Sequence, residues 1–164
     1  MPVNTLFHVA IKTPDLAATQ RFYVDVLGMG IDPGRPPLPF PGVWLRSPMP
    51  GGGALFHIYA GHAALEPDGT VASGTGAIDH VSVTITGYRA LRDRLQAHGL
   101  PWRENLLPTI GLWQIFAYDP SGMLLELTFS AEAEGGDAPS FPEERQYRAG
   151  EQFFDRSAYR QFHA

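Results

Sequence analysis

The stretch FHVAIKTPDLAATQRFYVDVLG, residues 7–28, decides the fold. Residues 5–12 alternate, with Phe7, Val9 and Ile11 on one face and Leu6, His8 and Ala10 on the other, which is the period of a strand. Thr13 suits an N-cap, Pro14 the first helical position and Asp15 the positive end of a helix dipole. Leu16, Phe22, Tyr23, Val26 and Leu27 then recur at near-helical spacing until Gly28, so the pattern predicts a helix over about 14–27 closed by a left-handed glycine.

Further along, the chain repeats itself. AIDHVSVTI (77–85) alternates in the same way, and a helix at about 87–98, striped by Tyr88, Leu91 and Leu95, ends at Gly99. GVWLRS (42–47) and ALFHIYA (54–60) read as strands in the first half, and PWRENL, IGLWQIFAY and MLLELTF in the second, with DPSG (119–122) as a turn. The offsets agree: 72 residues from His8 to His80, 71 from Gly28 to Gly99, and 69 from His57 to Glu126. The order β-α-β-β-β is therefore expected twice, as a module over 1–60, a linker over 61–76 and a module over 77–130. Modules this small bury little alone, so they should share a core or pair across a dimer. Residues 131–142 read as a flexible connector. Five aromatics (Tyr147, Phe153, Phe154, Tyr159, Phe162) make 143–162 a docked, partly helical extension, covering its own sheet or a partner subunit.

Composition narrows the chemistry. The 164 residues include 18 Gly and 15 Pro, a turn-rich but globular proportion given 10 Phe, 6 Tyr and 3 Trp. With no cysteine there is no disulfide, thiolate metal site or Cys nucleophile, so any metal must be held by imidazole and carboxylate. A net charge of −5 without a basic cluster argues against nucleic acid and against a polybasic membrane patch. No apolar run reaches a membrane span of about 18 residues, and Met1 to Asn4 lack the features of a signal peptide, so the expected location is cytoplasmic.

Four polar residues interrupt apolar strands: His8, His57, His80 and Glu126. The apolar neighbours should face the helices, leaving these four on the opposite face. A buried carboxylate costs several kcal/mol unless it is paired, hydrogen-bonded or metal-bound, so Glu126 needs a partner. Repeat equivalence strengthens the ligand reading, because His8 matches His80 and His57 matches Glu126. The other histidines have ordinary readings: His62 in the linker, His98 at a helix C-terminus, His163 at the frayed end.

The segments FHVAIKTPDLAATQRFYVDVLGM, IDHVSVTI and FAYDPSGMLLELTF resemble the vicinal oxygen chelate superfamily of glyoxalases, epimerases, fosfomycin- and bleomycin-resistance proteins and extradiol dioxygenases. The resemblance implies an α+β, glyoxalase-like fold, two βαβββ modules whose curved mixed sheets enclose a metal-binding cavity. It implies His8, His80 and Glu126 as ligands of one divalent transition metal (Fe²⁺, Ni²⁺, Zn²⁺ or Mn²⁺), with His57 at a fourth position usually filled by a carboxylate or amide. Four protein ligands leave about two octahedral positions, which favours lyase or isomerase chemistry on a vicinal-oxygen substrate, with Glu126 or His57 as base. If His57 stays off the metal, an extradiol dioxygenase is the alternative; against it, Phe116 stands where the ring-cleaving enzymes generally have Tyr, although Tyr118 shares its face. A metal-free drug-binding protein is the second alternative, opposed by the intact ligand set. The expected pocket adds Tyr59, Ser82, Thr84, Leu124 and Thr128, with Trp44 and Trp113 as walls, and Arg46 and Arg103 as candidates to hold an anionic group. A small-molecule substrate and a homodimer are the expected partners.

Overall fold

The computed structural model describes residues 5–162; Met1 to Asn4, His163 and Ala164 lie outside the described residues. The chain divides into two compact units, Met1–Ser73 with Phe162–Ala164 and Gly74–Gln161. Each unit has the order βαβββ and is built on a four-stranded mixed sheet, the α+β architecture that the repeat predicts.

In the first unit β1 (Val9–Lys12) leads to α1 (Leu16–Arg21), which passes into a π-helical turn at Phe22–Val26. Then come β2 (Gly30–Ile31), β3 (Gly42–Arg46) and β4 (Ala54–Tyr59), in the sheet order β1-β4-β3-β2. β1 pairs with β4 in parallel; the other pairings are antiparallel. The wider π turn brings Phe22, Tyr23 and Val26 together into the core, each 0% exposed, against Leu45, Phe56 and Ile58 of the sheet. Gly28, at φ +73°, ends the helix in the left-handed conformation that a glycine takes without a Cβ penalty.

The expected edges of these elements shift in three places. Asp15, not Thr13, is the N-cap, its carboxylate accepting from the Ala18 amide at 2.8 Å. Thr13 turns inward instead and bonds Thr19 Oγ1 at 2.7 Å. The first strand begins at Val9 rather than at residue 5, and Phe7, expected on the helix side, is 81% exposed.

The second unit holds β5 (Val81–Thr84), α2 (Tyr88–Ala97), β6 (Trp102–Leu107), β7 (Leu112–Tyr118) and β8 (Leu124–Ser130), ordered β5-β8-β7-β6 with β5 and β8 parallel. Tyr88, Leu91 and Leu95 are buried with Ile115, Leu125, Leu127 and Phe129. Residues 131–142, expected as a flexible connector, are hydrogen-bonded to the start of α2. The short α3 (Ala131–Glu134) brings Glu134 to the Gly87 and Tyr88 amides at 2.6 and 2.9 Å, while Arg89 and Arg92 bond the Asp137 and Ser140 carbonyls. Gly87 has no side chain to cap the helix, so Glu134 serves from outside.

The extension that follows packs on its own unit's sheet. Gln146 forms a parallel bridge with Glu104 of the edge strand β6, and Tyr159 is fully buried with its hydroxyl donating to the Tyr118 carbonyl at 2.5 Å. Among the described residues, no helix is long and apolar enough to cross a membrane.

Candidate functional site

Strand register explains how the marked residues meet. In the first unit Ala10 lies opposite His57, and in the second Ser82 lies opposite Glu126. His8 and His80 each stand two residues before those partners and one residue before their strands begin, so alternation returns them to the same face as the fourth-strand residue. Matching registers thus bring together His8 with His57, and His80 with Glu126, each pair within its own unit.

The His8 and His57 rings stack, centroids 3.8 Å apart and 18° from parallel, and His57 stacks also with Trp44, its partner across β3 and β4, at 4.1 Å and 7°. His57 is buried, and its pKa is pushed below the usual imidazole value first by desolvation and then by the neighbouring His8. It is thereby held toward the neutral form, whose ring nitrogen has a free lone pair. His8 Nδ1 and Trp44 Nε1 are buried with no hydrogen-bond partner among the described residues. Such a nitrogen ordinarily costs about 1–3 kcal/mol.

His80 lies between two carboxylates, with Nδ1 2.7 Å from Asp79 Oδ1 and Nε2 3.1 Å from Glu126 Oε2. A neutral imidazole has one N–H to give. It can therefore donate to only one of the two carboxylates. The other Glu126 oxygen, Oε1, accepts from the Ser82 and Thr128 hydroxyls at 2.8 Å each, which fixes the carboxylate and directs Oε2 at His80. The partner that burial demands of Glu126 is thus supplied by His80 and two hydroxyls. Among the described residues, no group of three or more His, Cys, Asp or Glu side chains is arranged to hold a metal ion.

The expected pocket residues mostly share these faces. Ser82 and Thr84 on β5, Leu124 and Thr128 on β8, and Phe116 and Tyr118 on β7 lie on the face of Glu126, and Tyr59 on that of His57. Trp113 does not. It has the parity of Ile115 and Ala117, and it packs edge-on against Tyr88 of α2 at 5.5 Å, so it belongs to the helix side. Arg46 bonds the Gly52 carbonyl and Arg103 lies over the Phe153 ring at 4.7 Å, giving both arginines structural partners.

Three residues were not singled out from sequence. Asp79 holds His80, and its position beside the histidine was the available signal. Glu104, fully buried, accepts from Tyr88 Oη and from Trp102 Nε1 at 3.0 Å, with Arg92 Nε at 3.6 Å; its parity with Trp102 and Leu106 already put it on the helix face. Tyr147 comes from the extension and stacks on Phe116, centroids 3.5 Å apart and 5° from parallel. A cleft of about 160 Å³ opens beside it, lined by Thr75, Asp79, Tyr118, Leu124, Tyr147 and Gln152 among others.

Two βαβββ modules, each with a histidine just before its first strand and an imidazole or carboxylate on its fourth, define an α+β protein of the glyoxalase-like class. The family model of the Glyoxalase/Bleomycin resistance protein/Dioxygenase superfamily matches residues 5–127, and the chain belongs to that superfamily. Among solved structures it is similar to a lactoylglutathione lyase from Agrobacterium tumefaciens, at 19% identity and TM-score 0.55, covering 80% of this chain and 98% of that one. It is also similar to the fosfomycin resistance protein FosX from Listeria monocytogenes, at 17% identity and TM-score 0.57, covering 81% and 98%. A FosX variant complexed with Mn(II) and 1S,2S-dihydroxypropylphosphonic acid matches at 16% identity and TM-score 0.57, covering 81% and 97%. No curated protein matches the chain.

Proposed function

We propose that this protein is a divalent-metal-dependent lyase or isomerase acting on a small substrate that chelates through adjacent oxygens, and that it works as a homodimer. The observation that carries the reading is the pair His80 and Glu126, whose Nε2 and Oε2 face each other at 3.1 Å. Membership of a superfamily that includes metal enzymes supports it.

In their chemistry, imidazole nitrogen and carboxylate oxygen are donors suited to a divalent transition cation. Asp79 occupies the Nδ1 side of His80 and so leaves Nε2 to act as a ligand, and His8 brings a buried, unpartnered nitrogen. His8, His80 and Glu126 would hold the ion, with His57 as fourth ligand. Bound there, a divalent metal supplies Lewis acidity, neutralising charge that develops on a substrate oxygen.

The chain's own groups handle the proton. Ser82 and Thr128 keep Glu126 Oε1 engaged, so Oε2 is the oxygen that would face the ion, and only when displaced from it would Oε2 take a proton from a substrate carbon and return it. His57, biased toward its neutral form, is the second candidate base in the arrangement where it stays off the metal. Four protein ligands leave about two octahedral positions, enough for a chelating substrate and too few for that substrate with O₂. Metal analysis of purified protein should find about one transition ion per chain, and His80→Ala or Glu126→Ala should abolish it. Full occupancy in both variants would refute the site.

A further inference from the structure

The C-terminal extension has no place in the chemistry above, yet it reaches the same face of the second sheet. Its approach is built along the edge of β6, where Gln146 bridges Glu104 and bonds Asn105 Oδ1 at 3.2 Å, and the Tyr147 amide donates to the Glu104 carbonyl at 2.8 Å. Arg145, immediately before, lies 3.3 Å above the Trp102 ring. These contacts fix Tyr147 where its ring covers one face of Phe116. Phe116 is directly opposite Glu126 in the β7–β8 ladder and stands edge-on to His80, centroids 5.8 Å apart. The Tyr147 hydroxyl lies 3.5 Å from Asp79 Oδ1, at the outer edge of hydrogen-bonding distance, and both residues line the cleft.

We propose that the extension is a specificity wall of this site, in which Tyr147, stacked on Phe116, takes the place a planar aromatic substrate would need and restricts the site to small, non-aromatic oxygenated substrates. Phe116 is the aromatic platform beside the His80–Glu126 pair, and a flat ring reaching that pair would lie on it. The Tyr147 ring is already there, nearly parallel at contact distance. On its other side Tyr147 borders a cleft together with Tyr118, Leu124 and Asp79, the residue that holds His80 Nδ1. Tyr147 is thus a specificity-determining residue rather than a catalytic one. The inference rests on the proposed function for its site, but the wall itself is a property of the second unit with or without metal.

The test uses the full-length protein and 2,3-dihydroxynaphthalene, a flat aromatic diol, titrated by its fluorescence against metal-free and Mn²⁺-loaded samples of wild type, Tyr147→Phe, Tyr147→Ala and Tyr147→Ser. Wild type and Tyr147→Phe should bind it at least about tenfold more weakly than the Ala and Ser variants, because only the latter free the Phe116 face. Equal binding by wild type and the truncated side chains overturns the wall, as does no gain in folded Ala and Ser variants. Amide hydrogen exchange on the wild type needs no variant: the Tyr147 amide should be protected by its bond to Glu104, and exchange at the free-peptide rate overturns the proposal. Metal content measured on the same samples separates the two readings. Failure to bind metal counts against the proposed function alone; tight binding of the diol by metal-loaded wild type counts against the wall alone.

Discussion

His57 shows how neighbours set one residue's chemistry. Stacked with His8 and Trp44 and removed from water, it has a pKa below the ordinary imidazole value of 6.5, so protonation is disfavoured in the folded chain. Between that ordinary value and the lower folded one, the unfolded chain binds a proton that the folded chain does not. Stability should therefore fall as pH drops through that window, and this group should contribute no pH dependence above it. Thermal unfolding of chelator-treated protein between about pH 7 and pH 5 should show the decline in wild type and a shallower one in His57→Gln. An identical slope would mean that His57 titrates as it does in water. The residue pairs were legible because a period of two fixes the face and a repeat fixes the equivalence. Their ring stacking and the Asp79 contact depend on rotamers and on packing between strands, which a linear pattern does not encode.

Elements were legible where one physical signal dominated. The stripe Tyr88, Leu91, Leu95 and the closing Gly99 mark α2 because an amphipathic helix and a left-handed terminus each have a local signature. Phe7 misled for the opposite reason: alternation shows which face a side chain would take, not where backbone pairing begins, and pairing begins at Val9. Trp113 has the bulk of a pocket wall, but its parity with Ile115 puts it on the helix side. The cap of α2 was invisible because Glu134 is 47 residues from the Gly87 amide it accepts from. Removing it in Glu134→Ala should cost about 1 kcal/mol, since it leaves two first-turn amides without a protein acceptor and removes a negative charge from the helix N-terminus. Urea unfolding that gives the same midpoint as wild type would show that water caps the helix equally well.

At the scale of the whole molecule, the edge strands are treated differently. β6 is an edge strand bridged by Gln146 of the extension, whereas β1 and β5 are edge strands that carry the residues following His8 and His80. An edge strand offers unpaired amides and carbonyls to another chain, and native proteins cover or blunt such edges. Beside β1 the apolar side chains Leu6, Phe7 and Leu55 are 76%, 81% and 38% exposed in the single chain. Surface of this kind, next to an open strand edge, is better accounted for by association than by a free monomer. Sedimentation equilibrium should therefore give twice the chain mass. Phe7→Asp, which puts a charge in the contact and lies outside every described strand, should weaken the dimer by at least about tenfold while leaving the circular dichroism spectrum unchanged. A monomeric wild type would remove the dimer from the proposed function, and an unaltered dimer in Phe7→Asp would move the interface away from β1.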